Sequence, residues 1–202
     1  MRRVFSAFLL TFLLGHAAAL ADVDVSLAHT GRVYDAATDR VFCLTGGSIT
    51  PVNPATGALE APIVVTTTSN LIAMQLSSTG SQLFVSHDNN KRLAQINLAS
   101  RSVVADWSAG TDTNGAKTFF SFAAVPGMSQ RVVTSTVQTG TDAFEVYDNG
   151  SLVASTTQFA SACLLVPGNV DGEWFAIESK LSSPCQMQRL QITGATISPA
   201  VL

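Results

Sequence analysis

Short apolar runs separated by polar turns recur along most of the chain, most clearly in residues 71–107. That stretch contains the runs LIAMQL, LFVS, LAQINL and SVVADW, divided by STGSQ, HDNNKR and ASR. Runs of this length, bounded by Gly, Ser, Asn and Asp, are typical of antiparallel β-strands. The stretch therefore predicts a four-stranded sheet. Because one small sheet cannot bury both of its faces, it must pack against neighbouring sheets.

The same unit repeats along the chain, as two independent landmarks indicate. One landmark is a pair of apolar residues, found at Val41-Phe42, Leu83-Phe84, Val132-Val133 and Trp174-Phe175. The other is a turn, found at Gly57, Arg101, Gly150 and Gly194. Successive copies lie 42–49 residues apart, a period that suits the four-stranded blade of a β-propeller.

We therefore predict an all-β fold, a β-propeller with about four antiparallel blades. The blades are expected at roughly residues 28–66, 67–111, 115–158 and 159–202, with an alternating segment, 22–31, as a leading strand. Asn149-Gly150 predicts a two-residue hairpin, since both residues tolerate positive φ. No helical periodicity is found after residue 21.

The N-terminus has the composition of a secretory signal peptide. Met1-Arg2-Arg3 is basic, residues 4–14 are apolar, and Ala19-Leu20-Ala21 supplies small residues before Asp22. We predict cleavage after residue 21, a mature domain of residues 22–202, and a secreted or periplasmic location. An N-terminal membrane anchor is the alternative. After removal of this segment no other stretch is long enough to predict a membrane span.

The charge of the chain indicates which partners it could bind, and its cysteines indicate which disulfides it could form. Only 12% of the residues are charged and the formal net charge is −3, which disfavours binding to nucleic acid or anionic lipid. Cys163 and Cys185 fall within one repeat, so in an oxidising compartment a disulfide between them is expected. Two buried thiols are the alternative, and Cys43 is expected to be a packed free thiol.

Candidate catalytic groups are few. His87-Asp88, in the predicted loop SHDNNKR, has the residue types of a base and its orienting group. Adjacent residues of an extended chain point in opposite directions, however, and no nucleophile motif accompanies the pair. Residues 112–115 resemble the start of a calcium loop but lack the expected Glu, since Ala123 occupies its position. We therefore predict no catalytic, cofactor-binding or metal-binding residues.

The polar loops are instead the candidate binding sites. Two loops supply them, through His87, Asp88, Asn89, Lys91, Arg92, Asp112 and Asn114. Trp107 and Trp174 are expected to pack between blades, because each lies in or beside a predicted strand.

Four motifs resemble one known family. They are the opening DAATDRV at 35–41, VNPATG at 52–57, SSTGSQLFV at 77–85 and INLAS at 96–100. These are similar to YVTN-type repeats of the quinoprotein amine dehydrogenase-like β-propellers, as found in exported bacterial proteins. The resemblance implies a propeller over most of 28–202. It implies no activity, because the tryptophan floor and charged contacts of the quinone-binding members have no match here, and no cofactor is predicted.

Propellers of that family usually close with about seven blades, whereas this chain has material for about four and ends in the apolar run PAVL. We expect an incomplete ring: a fragment, a truncated product, or a half-ring completed by a second chain. Its open blade edges would then permit self-association. A closed four-blade ring is the alternative.

Two functions follow. The first is a noncatalytic binding or scaffold module for a protein or small-molecule ligand, which needs loops but no catalytic constellation. The second is part of a quinoprotein-like dehydrogenase or propeller lactonase, which fold analogy alone supports.

Overall fold

The computed structural model describes residues 25–112, 115–137, 143–157, 163–178 and 187–199. These residues form four antiparallel four-stranded sheets and one short hairpin. Blade 1 comprises β1 (Arg32–Asp35), β2 (Arg40–Thr45), β3 (Ser48–Val52) and β4 (Ile63–Val64). Blade 2 comprises β5 (Leu71–Leu76), β6 (Gln82–His87), β7 (Arg92–Asn97) and β8 (Ser102–Ser108).

A hairpin of β9 (Thr111–Asp112) and β10 (Gly115–Ala116) follows blade 2. Blade 3 comprises β11 (Thr118–Ala124), β12 (Arg131–Val137), β13 (Ala143–Asp148) and β14 (Ser151–Thr156). Blade 4 comprises β15 (Cys163–Pro167), β16 (Glu173–Glu178), β17 (Met187–Thr193) and β18 (Thr196–Pro199). The predicted all-β propeller fold is thereby confirmed.

Each blade is a simple meander whose strands lie side by side in chain order. The first strands lie innermost, since β1 contacts β5, β5 contacts β11, and β11 contacts β15. In the part of the chain that the structure describes, no sheet closes on itself, consistent with a partial ring. Because strands alternate in direction, the turns between second and third strands lie at the same end as the segments linking blades. We call this end the crossover face.

The core consists of three apolar clusters, one between each pair of neighbouring blades. Phe42 of blade 1 packs with Leu83 of blade 2, and Phe84 of blade 2 packs with Val132 of blade 3. Trp174 of blade 4 meets Phe144 of blade 3 edge-on, with ring centroids 5.1 Å apart. Burying each such large apolar side chain contributes about 1.5–3 kcal/mol relative to exposure. Both tryptophans lie in these clusters, as expected.

Side chains of one inner strand also hydrogen-bond to the main chain of the next. The Ala124 amide donates to Gln75 Oε1 at 3.0 Å, which ties β11 to β5. The Ser121 hydroxyl donates to the Cys163 carbonyl and accepts from the Leu165 amide, which ties β15 to β11. These bonds satisfy main-chain groups at strand edges that no other strand pairs.

The predicted leading strand is wrong over the residues that the structure describes. Residues 25–31 form no strand, and β1 begins at Arg32. The segment's main-chain bonds to blade 1 come from Thr30 and Gly31, each to the main chain of Leu44, and the His29 ring lies 3.3 Å from the Arg32 guanidinium. The alternation of apolar and polar residues was therefore not sufficient to predict a strand here. A strand also requires a continuous series of main-chain hydrogen bonds to a neighbouring strand. The predicted hairpin at Asn149-Gly150 is present, with φ of 48° and 78°.

Candidate functional site

Among the described residues, the turn between β6 and β7 is the most strained segment of the crossover face. Asp88, Asn89 and Asn90 have φ of 50°, 52° and 62°, the left-handed region that side chains other than Gly rarely adopt. Asn and Asp tolerate this region best, since their short polar side chains can hydrogen-bond locally. Strained backbone of this kind clusters at binding and catalytic sites.

Three hydrogen bonds hold this turn. The Lys91 amide donates to the Asp88 carbonyl at 3.0 Å, and the Asp88 amide donates to Ser69 Oγ at 3.3 Å. The Phe119 amide donates to the Asn90 carbonyl at 2.7 Å, which joins the turn to blade 3. The Ala109 amide also donates to the Lys91 carbonyl, which ties the turn to the chain that follows β8.

Most side chains of this turn are exposed to solvent. Asp88, Asn89 and Lys91 are exposed, and none of their side chains has a partner among the described residues. Asp112 is the last residue of β9, whereas Asn114 lies outside the described residues. Three of the seven residues predicted for binding, Asp88, Asn89 and Lys91, are therefore exposed at the turn itself.

The expectation that His87 lies in a loop is wrong, because His87 is the last residue of β6 and only 3% exposed. Its Nε2 lies 3.2 Å from Asp106 Oδ1, and its Nδ1 lies 3.4 Å from Ser69 Oγ. Arg92, the first residue of β7, donates from Nε to the same Asp106 oxygen at 3.0 Å. These contacts allow burial of the imidazole, since each ring nitrogen has a polar partner.

Ser69, His87 and Asp106 therefore stand in the order of a hydroxyl, a base and an orienting carboxylate. Ser69 lies beside an open cleft of about 290 Å³ lined by Gly47 and residues 66–70. Against a nucleophilic role, Ser69 Oγ already accepts the Asp88 amide, and Arg92 shares Asp106. The chain of contacts thus fastens the segment between blades 1 and 2 onto blade 2.

A groove opens along the inner strands next to the strained turn. It has a volume of about 310 Å³ and is lined by residues 73–75 of β5, residues 119–122 of β11, Asn90 and Leu164. A β-bulge between Phe119 and Ser121 leaves Phe120 outside the register, 42% exposed. None of the lining residues is charged. The groove is thus uncharged and mainly apolar, and its polar lining residues are Gln75, Asn90 and Ser121.

The other polar clusters are occupied by structural contacts. On the opposite face, Arg131 lines a cleft of about 430 Å³, but it donates to Asp148 at 2.7 Å and to the Gly194 carbonyl at 2.7 Å. Between blades 2 and 3, buried Glu145 accepts from Lys117 at 3.1 Å and from Tyr147 at 2.7 Å. Burial raises the pKa of Tyr147 far above its ordinary value, and the Glu145 carboxylate raises it further.

Metal and cysteine chemistry have little support among the described residues. They contain no group of three or more His, Cys, Asp and Glu side chains that could hold a metal ion. Cys43 is buried and unbridged, and burial raises the pKa of its thiol. The predicted Cys163–Cys185 disulfide cannot be located, since Cys185 lies outside the described residues. In the same residues no helix is long and apolar enough to span a bilayer.

Comparison with known proteins supports the fold. No protein-family model matches the chain, and no curated protein matches its sequence. The β-propeller domain of Cps50 (Swd1) from Myceliophteria thermophila matches with a TM-score of 0.60 and 14% identity, over 75% of this chain and 50% of that one. Hydrazine synthase from Kuenenia stuttgartiensis matches with a TM-score of 0.59 and 13% identity, over 85% of this chain and 49% of that one.

A putative 6-phosphogluconolactonase from Bacteroides fragilis also matches, with a TM-score of 0.59 and 10% identity, over 85% of this chain and 52% of that one. At such identities the likeness establishes the fold alone. By its fold, the protein belongs to the class of β-propellers. The chain spans about half the length of each of these structures.

Sequence reasoning missed the groove and the partners of His87. The groove draws on strands about 45 residues apart, and the bulge at Phe120 has no distinctive residue pattern. Ser69 and Asp106 lie 18 and 19 residues from His87. The repeat was the one available signal for these partners. It places the segment that precedes each blade beside the turn between that blade's second and third strands.

Proposed function

We propose that this chain is an exported, noncatalytic β-propeller module that binds a neutral, partly aromatic ligand at the crossover face of blades 2 and 3. The observation that carries this proposal is the strained turn at residues 88–90. It holds an unpartnered Asn90 amide over an uncharged groove. Because strain of this kind persists only where surrounding contacts enforce it, the turn is pre-organised for recognition.

The chemistry of the groove selects the ligand class. Exposed Phe120 and Leu164 offer apolar surface to an aromatic or aliphatic group. Asn90 offers both a donor and an acceptor to one polar group of the ligand. No lining side chain would neutralise a formal charge, so a charged ligand would lose hydration without compensation. A ring bearing an amide or hydroxyl group fits these properties.

Family and location belong to the same proposal. The motifs at 35–41, 52–57, 77–85 and 96–100 support membership of the YVTN-type, quinoprotein amine dehydrogenase-like propellers. The basic, apolar and small residues of 1–21 support export to the periplasm or medium. N-terminal sequencing of the protein secreted by an expressing host tests the export, and a chain that still begins at Met1 would contradict it.

Ligand-observed NMR with indole, p-cresol and benzamide tests the groove. Phe120→Ala removes the exposed ring, and Asn90→Gly removes the amide while keeping a residue that tolerates positive φ. Each variant is expected to lower saturation transfer to the probes, with an unchanged circular dichroism spectrum. Leu152→Ala, at a side chain 53% exposed on β14, is the matched control. Equal transfer to wild type, Phe120→Ala and Asn90→Gly would contradict the proposal.

A propeller enzyme is the second candidate, and one observation favours it. His87, flanked by Ser69 and Asp106, adjoins the cleft at residues 66–70, so it could act as a base on a substrate in that cleft. A screen for lactone and redox-dye turnover, with and without quinone and calcium, tests this reading. Turnover that His87→Gln abolishes, in a variant that remains folded, would favour the enzyme over the binding module.

A further inference from the structure

The groove along the inner strands has a carboxamide side chain towards each of its ends. Asn90 lies beside the start of β11, because its carbonyl accepts from the Phe119 amide at 2.7 Å. Gln75 lies beside the end of β11, because its Oε1 accepts from the Ala124 amide at 3.0 Å. Phe119 and Ala124 are five residues apart on this strand. The two contacts are therefore separated by roughly 16 Å of extended chain.

The orientation of the Gln75 carboxamide is fixed by its own hydrogen bond. The Ala124 N–H needs an acceptor, so the oxygen of Gln75 faces Ala124 and the nitrogen takes the other position. This Nε2 has no partner among the described residues, and Gln75 lines the groove. Ser121 adds no further donor, since its hydroxyl donates to the Cys163 carbonyl. Gln75 therefore presents a donor to a ligand, because its oxygen is committed to the main chain.

The Asn90 carboxamide differs, since no described residue bonds to its side chain. It offers both a donor and an acceptor. Apart from Ser121, the remaining lining of the groove is apolar, and Phe120 and Leu164 are 42% and 53% exposed there. A ligand lying along the groove thus meets a polar group, an apolar surface and a second polar group in turn.

We propose that the groove recognises an elongated neutral ligand of two linked rings, whose carbonyl oxygen accepts from Gln75 and whose opposite end carries a hydroxyl or amide group bonded to Asn90. With hydrogen bonds of about 2.9 Å at both ends, roughly 10 Å remains for the ligand itself. Two directly linked six-membered rings with a polar atom at each end have this length, whereas a single ring reaches only one carboxamide. The inference rests on the proposed function and specifies its ligand.

Saturation-transfer NMR titrations with two matched probes test the proposal. One probe, 4′-hydroxybiphenyl-4-carboxamide, carries both polar ends, and the other, 4-phenylphenol, lacks only the carboxamide. The wild-type protein should bind the first probe about fivefold more tightly than the second, the effect expected of one net hydrogen bond between neutral groups.

Gln75→Glu separates the two ends of the ligand. Its carboxylate still accepts from the Ala124 amide but has no N–H to donate. This variant should lose the fivefold preference while it binds 4-phenylphenol as before. Asn90→Gly should weaken both probes alike, by about fivefold. Gln188→Glu, on β17 and outside the groove lining, is the matched control for the added charge and should keep the wild-type preference.

Equal affinity of the wild-type protein for the two probes would overturn this proposal, as would equal weakening of both probes by Gln75→Glu. The proposed function would survive either result if Phe120→Ala still weakened 4-phenylphenol, so the two failures are distinguishable. Binding of neither probe would overturn both.

Discussion

At the scale of single residues, Gly46 and Gly47 illustrate two different needs for glycine. Gly46 has φ of 63° with nothing close to where a Cβ would be, whereas a Cβ on Gly47 would collide with the main-chain oxygen of Thr66. Gly47 must approach this closely because its carbonyl accepts from the Val65 and Thr66 amides. The segment between blades 1 and 2 therefore depends on Gly47.

We expect Gly46→Ala to lower the free energy of unfolding by about 1 kcal/mol, the cost of a left-handed residue with a Cβ. Gly47→Ala should cost about 3 kcal/mol, at the upper end for forced overpacking. Urea unfolding midpoints measure both effects. Faster amide exchange at Val65 and Thr66 should accompany Gly47→Ala only, and equal effects of the two variants would contradict this account.

The two tyrosines are expected to titrate differently. Burial and the Glu145 carboxylate raise the pKa of Tyr147, while the hydrogen bond to Asp39 raises that of exposed Tyr34. Tyr147 ionises near pH 10 only when unfolded, so it stabilises the fold below that pH, and this contribution is lost as the pH rises further.

An alkaline titration of phenolate absorbance checks this expectation. One of the two tyrosines should ionise in the folded protein, and the second only together with loss of the β-sheet circular dichroism. Tyr147→Phe should remove the delayed step, and Tyr34→Phe the early one. Two phenolates formed before unfolding would show that Tyr147 is not buried against Glu145.

At the scale of strands and turns, Glu60 links two blades. It lies in the connection before β4 and pairs with Arg40 of blade 1 and Arg101 of blade 2. Hydrogen bonds from Arg101 and Arg40 lower the pKa of Glu60. A carboxylate with a lowered pKa stabilises the fold above its unfolded pKa, about 4.3, and loses that effect as the pH falls through its folded pKa.

Glu60→Gln should therefore lower the unfolding midpoint above about pH 5, and the difference from wild type should vanish well below about pH 4. Urea unfolding across this pH range measures it. Asp39→Asn serves as a control, since the Asp39 carboxylate accepts from Tyr34 of its own blade. A difference that does not depend on pH would indicate lost packing instead of a lost ion pair.

Strand alternation and turn residues predicted the blades because both act locally. The same locality explains the errors. His87 was assigned to a loop since a polar residue next to Asp-Asn-Asn looks like a turn, yet Ser69 and Asp106 allow it to end a buried strand. The groove was missed because it requires three inner strands to come together, and their distance in space has no local pattern.

At the scale of the whole molecule, equivalent residues of different blades should contribute unequally to stability. Phe84→Ala removes a fully buried ring from the apolar cluster between blades 2 and 3 and should cost about 3–5 kcal/mol. Phe175→Ala should cost much less, because this ring is only partly buried and belongs to none of the three described clusters.

Thermal unfolding of the two variants measures both effects. A large loss of stability in Phe175→Ala would show that this ring is already covered within one chain.

The adjacent pair at the centre of each second strand also sets the tolerance of this protein to insertions and deletions. Neighbouring residues of a strand face opposite sides, so one added or lost codon within β6 exchanges the sides of Leu83 and Phe84 together. A single length change there would open the apolar clusters on both sides of blade 2 at once, whereas the same change within residues 53–59 would open neither. Natural length variation among relatives of this chain should accordingly concentrate in the connections and spare the second strands.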